Sequence, residues 1–282
     1  MKLAAIVIVY YPNIEDLKIN IFSFIEDIDK LIIWDNTPAK DQSHFNLDFP
    51  EIRNKTLVFT TGKNEFIAYP LNEAINWCLE NGYNYLLSMD QDSLFENGSF
   101  RRYVNKIKLN QDFKIAIFGV NPNGQFLTRE SFLETNWFIT SGSIYDVSII
   151  KKIGGFREDY QIDCVDNEIC YKVITNGYKV VVDTHCKMNQ IYGSPLKSKY
   201  GFTTSGYSPF RTYSILCNHI LLWREYPNML DRNLKRTILK DYLIYRFVKI
   251  ILAEDKKKKK LLALFNGLID GLKGKRQQKF VG

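Results

Sequence analysis

The 282-residue chain lacks long apolar runs and paired cysteines. No stretch of about 18 apolar residues occurs, so the sequence predicts no membrane-spanning helix. Its five cysteines form no C-x-x-C pair, and their odd number argues against a disulfide framework. We therefore expect a reducing compartment and a cytoplasmic location. Residues 7–13 contain neither glycine nor a basic residue, which argues against the phosphate-binding loop of a nucleotidyltransferase.

Composition is ordinary for a globular protein, but the charge is unevenly placed. The chain is 45% apolar and 24% charged, which is enough for a buried core. Its net charge is +7, with many Lys and Arg after residue 230, including the run Lys256 to Lys260. This asymmetry favours a polyanionic partner. A basic nucleic-acid-binding protein is one alternative, although no nucleic-acid-binding motif is present, and we predict no nucleic-acid partner.

Apolar runs alternate with helix-like segments over the first 120 residues. This rhythm predicts an α/β fold with a mostly parallel sheet covered by helices on both faces, as a domain over 1–205. A basic helical extension is predicted over 206–282. A middle helix over Val165–Thr175 and a strand over Val180–Val182 complete the first domain. The predicted strands of the first 120 residues are Leu3–Val9, Leu31–Trp34, Thr56–Thr60, Tyr85–Met89 and Ile115–Val120.

Two carboxylates, Asp90 and Asp92, follow the fourth predicted strand. Acids this close are costly to hold together unless a cation offsets their repulsion, and oxygen ligands at this spacing suit Mg²⁺ or Mn²⁺. An isolated pair is more often a solvated loop. Tyr10 and Asp35, however, also fall at the carboxyl ends of predicted strands, where open α/β sheets bind ligands. This agreement favours a functional site.

Six motifs in order resemble those of family-2 inverting glycosyltransferases with the GT-A fold, most closely the bacterial rhamnosyltransferase branch. The last motif is the most specific, because G-G-F-R-E-D followed by I-D-x-V-D-x-E-x-C is hard to obtain by chance. The motifs are Val9–Pro12, Ile33–Asn36, Asn64–Asn72, Ser88–Ser93, Ile139–Ser143 and Gly154–Cys170.

The resemblance implies roles for the donor site. Asp92 is expected to bind the Mg²⁺ or Mn²⁺ ion directly, with Asp90 facing the ribose or a metal-bound water. Asp35 is expected to accept a hydrogen bond from the pyrimidine base, and Tyr10 to stack on or flank that base. Asn64 is expected to contact the nucleotide. A buried strand-end aromatic is the alternative for Tyr10.

The resemblance also implies a general base, because inversion needs a group that deprotonates the acceptor hydroxyl. Asp166 is the expected base, with Asp163 as the fallback; helix capping is the alternative for Asp166. Ser141 and Gly142 are expected to line the acceptor or sugar pocket, with a tight turn as the alternative.

Two positions depart from the family pattern. Many relatives carry glycine where this chain has Phe66, which leaves nucleotide contacts there open. Relatives often place a metal-binding histidine in an H-x-x-G element after the last strand, but here the sequence reads Asn189–Gly193, and His185 lies too early. If nothing replaces that histidine, the metal site is weakened or absent.

The sequence therefore predicts transfer of rhamnose from dTDP-rhamnose to a glycan or lipid-linked saccharide in surface polysaccharide synthesis. A UDP-hexose or UDP-galactofuranose donor is the alternative within the class, and a nucleotidyltransferase is a remoter one. The basic C-terminal helices fit peripheral attachment to an anionic membrane at the inner face of the cytoplasmic membrane. Packing of these helices on the core is an equal alternative, and a homodimer stays open.

Overall fold

The computed structural model describes residues 1–44, 46–96, 98–126, 131–190, 196–198 and 201–276. The chain divides into two compact units, which we describe separately. The first comprises Met1–Gln161 and Val165–Ile191, and the second comprises Ile162–Cys164 and Tyr192–Gly282. The sequence places the division between domains after residue 205, which stays a prediction.

The first unit is built on a nine-stranded sheet within the described residues. Its strands are β1 (Leu3–Val9), β2 (Lys30–Asp35), β3 (Thr56–Thr60), β4 (Tyr85–Asp90), β5 (Ser93–Phe95), β6 (Ile115–Pro122), β7 (Phe132–Glu134), β8 (Ser143–Asp146) and β9 (Lys179–Gln190). The order is β3-β2-β1-β4-β8-β6-β9-β5, and β7 also pairs with β9. The central strands are buried along nearly their whole length, as their continuous apolar runs predict.

Helices cover this sheet because each presents an apolar stripe to it. They are α1 (Ile14–Phe22), α2 (Ala68–Glu80), α3 (Ser99–Leu109), α4 (Val147–Lys152) and α5 (Val165–Thr175). The start of α1 is fixed by Asn13, whose side chain accepts hydrogen bonds from the backbone of Glu15 and Asp16. Asp146 caps α4 in the same way.

The predicted α/β fold with a mostly parallel sheet is confirmed, with a specific irregularity. Strands β3, β2, β1 and β4 are parallel neighbours, and β6 is parallel to β9. The four-residue strand β8 lies antiparallel between β4 and β6, and β5 and β7 lie antiparallel to β9. These three short strands were not predicted from the sequence. The predicted strand over Val180–Val182 is much longer, extending to Gln190.

The second unit contains the C-terminal helices and a short hairpin. Its elements are β10 (Leu196–Lys197), β11 (Thr203–Thr204), α6 (Pro209–Glu225), α7 (Arg232–Leu239), a π-helical turn (Lys240–Tyr245), α8 (Arg246–Ala253) and α9 (Lys257–Lys273). Helices α6 and α9 pack closely because a glycine of α9 faces α6. A Cβ atom at Gly267 would lie 2.6 Å from the backbone oxygen of Tyr213. The helical character predicted after Pro209 is present.

A buried ionic cluster organises this unit around Glu254. Its carboxylate accepts hydrogen bonds from Arg246, Lys260 and Thr204, and all four residues are buried. Lys260 is 2% exposed, although it belongs to the five-lysine run, whereas Lys256 to Lys259 are exposed. One of the five lysines is therefore part of the buried core of this unit. None of the helices in the described ranges has both the length and the apolar character to cross a bilayer.

Candidate active site

The carboxyl ends of three neighbouring strands bring Tyr10, Asp35 and Asp90 to one edge of the sheet. Strand β1 lies between β2 and β4, with Val9 in register with Asp35 and Ile8 in register with Asp90. Tyr10 follows directly after β1. Open α/β sheets bind ligands at this edge, so the placement agrees with the site that the sequence predicts.

Gln91, the middle residue of the acidic motif, forms hydrogen bonds that connect this edge of the sheet. Gln91 accepts a hydrogen bond from the Tyr10 amide at 2.8 Å and returns one to the Tyr10 carbonyl at 3.3 Å. Asn20 of α1 donates to the Gln91 carbonyl at 2.6 Å. The segment that carries both acids is thereby tied to the ends of β1 and α1. Sequence reasoning assigned Gln91 no role.

Tyr10 is an exposed aromatic. Its side chain is 47% exposed and meets the ring of Tyr11 edge to face, with 4.7 Å between the ring centroids. The Tyr11 hydroxyl donates to Asp41 at 2.5 Å, and this hydrogen bond raises the pKa of Tyr11 to about 12. A buried strand-end aromatic does not describe Tyr10. An open ring face at this edge fits the predicted contact with a base, which stays a prediction.

Asp35 and Asn64 are held in turns beside this edge. Asp35 is buried, and one carboxylate oxygen accepts from the Thr37 amide at 2.8 Å. Asn64 accepts from the Phe66 amide at 2.9 Å. Phe66 has φ of +60°, a left-handed backbone conformation that favours glycine.

Asn36 connects the two turns. Its side-chain oxygen accepts from the Glu65 amide at 3.0 Å, and its nitrogen donates to the Phe66 carbonyl at 2.6 Å. The side chain is buried, and its oxygen also accepts from the Trp34 ring at 3.2 Å. Asn36 is a positioning residue for the loop after β3 that sequence reasoning missed, although it stands inside the second family motif.

Asp92 and Asp166 both lie within electrostatic reach of Asp90. The pKa of Asp90 is raised to about 6, chiefly by burial and then by the negative charges of Asp92 and Asp166. Burial also raises the pKa of Asp92, the more exposed of the two motif acids. Asp166 lies half-buried in the first turn of α5 and accepts from the Asn167 amide at 3.2 Å. The structure thus brings Asp166 within reach of the acidic motif, although the two are distant in sequence.

The carboxylate oxygens of Asp90 and Asp92 are hard ligands of the kind that suits Mg²⁺ or Mn²⁺, and a cation would offset the repulsion from Asp92 that contributes to the raised pKa of Asp90. His185 of β9 is exposed. Within the described ranges, no group of three or more His, Cys, Asp or Glu side chains could hold a metal ion. Residues Ile191 to Gly193 of the predicted H-x-x-G position lie outside the described residues.

Ser141 and Gly142 form hydrogen bonds with the backbone at the carboxyl end of β4. The Ser141 hydroxyl accepts from the Asp90 amide at 2.9 Å, and the Gly142 amide donates to the Ser88 carbonyl at 2.7 Å. Gly142 has φ of +80°, and a Cβ atom there would lie 2.8 Å from side-chain atoms of Met188 and Val120. Close packing therefore requires this glycine, while the predicted contact of both residues with the sugar or acceptor stays a prediction.

Asp163, the fallback base, is engaged within the second unit. Arg211 of α6 donates to both of its carboxylate oxygens, at 2.9 and 3.1 Å. Asn218 donates to the backbone oxygens of Ile162 and Asp163 at 2.8 and 3.1 Å. Because both oxygens of this carboxylate are engaged by the guanidinium, this geometry favours Asp166 as the base.

Comparisons with known proteins agree with the resemblance that the motifs indicate. No family model matches the chain. The chain is 25% identical over 241 residues to the dTDP-rhamnosyl transferase RfbF of Shigella flexneri, covering 78% of this chain and 79% of that protein. Similarity to the rhamnosyltransferase branch is therefore confirmed.

Solved glycosyltransferases share the fold. GalNAc-T7, crystallised with UDP, GalNAc and Mn²⁺, matches 86% of this chain with a TM-score of 0.60 and 12% identity. The chain spans about half of GalNAc-T7, 54% of its length. Residues 1–349 of Staphylococcus aureus TarS with UDP-GlcNAc match 98% of the chain and 82% of that structure, with a TM-score of 0.56 and 16% identity.

A mannosyltransferase of Pyrobaculum calidifontis, in complex with GDP-Man and Mn²⁺, matches 98% of the chain and 76% of its own, with a TM-score of 0.57 and 11% identity. The predicted GT-A fold is confirmed by these similarities.

Proposed function

We propose that this chain, a relative of the GT-A glycosyltransferases, transfers a sugar from a nucleoside-diphosphate donor to a saccharide acceptor with inversion at the anomeric carbon. The observation that carries the proposal is the set of carboxylates Asp90, Asp92 and Asp166, in which Asp90 ends β4 beside the carboxyl end of β1. Rhamnose from dTDP-rhamnose is the proposed donor, supported by the similarity to RfbF.

The donor is held at the edge formed by Tyr10, Asp35 and Asn64. The exposed ring of Tyr10 offers a stacking surface for a pyrimidine, and the buried carboxylate of Asp35 offers an acceptor for its N3–H. A divalent cation held by Asp92 and Asp90 would neutralise charge on the departing diphosphate. Asn36 fixes the loop of Asn64 and so shapes this half of the site.

The transfer is a single displacement. The acceptor oxygen forms a bond to the anomeric carbon while the bond from that carbon to the diphosphate oxygen breaks, and its electron pair leaves with the nucleoside diphosphate. Asp166 takes the proton of the acceptor hydroxyl.

The variant Asp166→Asn tests this assignment. We expect calorimetry to give unchanged dTDP binding, while transfer from dTDP-rhamnose to lipid-linked saccharides of the source organism falls by at least 100-fold. Asp159→Asn, an exposed acid of the same motif, is the matched control and keeps wild-type transfer. Wild-type transfer by Asp166→Asn would refute the base assignment.

A UDP-hexose donor is a second candidate, favoured by the UDP and UDP-GlcNAc complexes of structurally similar proteins. Titrating dTDP, UDP and GDP onto the wild-type chain separates the two. We expect dTDP to bind at least tenfold more tightly than UDP. The reverse preference would replace the rhamnose donor by a UDP-sugar.

We also propose that the second unit attaches to an anionic membrane that carries the acceptor. Two helical faces of exposed apolar side chains meet there, where Phe247 and Phe265 contact each other. Four exposed lysines lie where α8 connects to α9. Lys256 directly precedes α9, and Lys257 to Lys259 are its first residues. The exposed apolar residues are Ile244, Val248, Ile251, Leu252, Leu262, Phe265, Ile269 and Leu272.

This combination fits a lipid surface because apolar side chains insert at the headgroup boundary while adjacent lysines meet anionic lipids. We expect the chain to sediment with vesicles containing phosphatidylglycerol and not with pure phosphatidylcholine. Replacing Lys256 to Lys259 by Gln, or Phe265 by Ser, should abolish sedimentation. Phe113→Ser, which removes a 90% exposed ring of the first unit, is the control. A stable dimer in light scattering without vesicle binding would instead assign this surface to a second copy.

A further inference from the structure

The side chain of Gln190, the last residue of β9, approaches the acidic motif. Its amide nitrogen donates to a carboxylate oxygen of Asp90 at 3.3 Å. Its amide oxygen is buried and has no hydrogen-bond partner among the residues that the structure describes. A buried acceptor without a partner is unusual in a folded protein, so this oxygen is a candidate ligand atom.

A second buried group without a partner lies opposite. Ser93 pairs with Gln190 across the antiparallel strands β5 and β9, so their side chains share one face of the sheet. Ser93 is fully buried, and within the described ranges its hydroxyl has no hydrogen-bond partner. Ser93 directly follows Asp92. Two polar groups without partners therefore adjoin the two acids expected to hold a cation.

The backbone of Gln190 is fixed, so its side chain has a defined origin. Asn123 accepts from the Gln190 amide at 3.2 Å and donates to the Gln190 carbonyl at 3.3 Å. The side-chain amide of Gln190 therefore projects from a backbone that is fixed by strand β9 and by two hydrogen bonds to the side chain of Asn123. Rigid support of this kind is what a ligand of a metal ion needs.

We infer that Gln190 is a protein ligand of the divalent cation, contributing its amide oxygen beside Asp90 and Asp92. The inference rests on the proposed function, which calls for that cation. Gln190 stands three residues before Gly193, where the sequence lacks the expected histidine. An all-oxygen set of two carboxylates and an amide favours Mg²⁺, whereas an imidazole shifts preference toward softer transition metals.

The test measures metal binding directly. The free Mn²⁺ signal in electron paramagnetic resonance is titrated with the full chain in the presence of dTDP. Gln190→Met keeps the side-chain length and removes the amide oxygen, and we expect it to weaken Mn²⁺ binding at least tenfold. Calorimetric dTDP binding without metal should not change. Gln190→His should raise the affinity for Co²⁺ relative to Mg²⁺.

Asn189→Ala is the matched control, because the preceding strand residue points to the opposite face and is exposed. Metal-free thermal unfolding of each variant establishes that it is folded. Wild-type Mn²⁺ affinity in Gln190→Met would overturn the inference, as would absence of Mn²⁺ binding by the wild-type chain. Neither result decides the proposed function, since transfer from dTDP-rhamnose is assayed separately, with and without metal.

Discussion

Removing the charge of Asp90 should stabilise the metal-free protein at neutral pH. The pKa of this buried carboxyl is raised from its ordinary value of 3.8 to about 6, first by burial and then by Asp92 and Asp166. Ionised Asp90 is therefore less favourable in the folded chain than in the unfolded chain. The variant Asp90→Asn keeps the shape of the side chain and removes the charge.

The direction in which stability changes with pH follows from proton binding by Asp90. Between pH 3.8 and about 6 the folded chain holds the Asp90 proton more tightly than the unfolded chain, so stability falls as pH rises through this window. At about 1.4 kcal/mol per pH unit, ionised Asp90 costs about 3 kcal/mol at pH 7.5. Near pH 5 the folded carboxyl is largely protonated while the unfolded carboxyl is largely ionised. The loss of folding free energy caused by Asp90 is then about half as large.

The assay is urea unfolding in the presence of EDTA at pH 7.5 and pH 5. Asp90→Asn should be more stable than the wild type by about 3 kcal/mol at pH 7.5 and by about 1.5 kcal/mol at pH 5. Asp159→Asn, at an exposed acid, should change the free energy of unfolding by less than about 0.5 kcal/mol at both pH values. Equal stability of Asp90→Asn and wild type at pH 7.5 would show that ionised Asp90 does not destabilise the folded chain.

Three further substitutions test the supporting structure. Gly142→Ala should destabilise the chain by about 2–4 kcal/mol in urea unfolding, because the left-handed backbone and crowded Cβ position are both unfavourable; a loss below about 1 kcal/mol would contradict this. Glu254→Gln should cost about 3–5 kcal/mol because it leaves Arg246 and Lys260 buried without their counter-charge, and unchanged stability would remove the cluster's structural role. Asn36→Ala should weaken dTDP binding about tenfold in calorimetry through release of the loop after β3, whereas wild-type affinity would separate that loop from the nucleotide.

The parallel half of the sheet could be predicted because it is encoded locally. Strands β1, β2, β3 and β4 are short apolar runs separated by turn and helix signals, so their ends placed Tyr10, Asp35 and Asp90 at one edge. Strand β8 could not be predicted, since four residues inserted between two other strands carry no periodic pattern of their own.

The second half of β9 did carry a signal. Cys186 and Met188 are buried while His185 and Lys187 are exposed, which is the alternation of a half-buried strand. Extending that strand would have led to Gln190. Lys260 is different, because its burial depends on Glu254, and neither its neighbours nor its charge distinguishes it from Lys256 to Lys259.

The roles of the hydrogen-bonding side chains were the least accessible from sequence. Gln91 and Asn36 act through contacts with residues distant along the chain, and Arg211 engages Asp163 from α6. Amide side chains of this kind have no spacing that reveals their partners. Asp90 and Asp92 were found because neighbouring carboxylates at a strand end are costly without a counter-charge, whereas Asp166 was identified through the resemblance of its motif to that of the glycosyltransferases.

The anomeric configuration of the transferred sugar tests the central claim most directly. Transfer from dTDP-rhamnose to the lipid-linked saccharide, followed by nuclear magnetic resonance of the product, reports this configuration. We predict that dTDP is released together with a product of configuration opposite to that of the donor, and that Asp166→Asn loses this transfer. A product that retains the donor configuration, or no release of a nucleoside diphosphate from any nucleotide sugar, would contradict it.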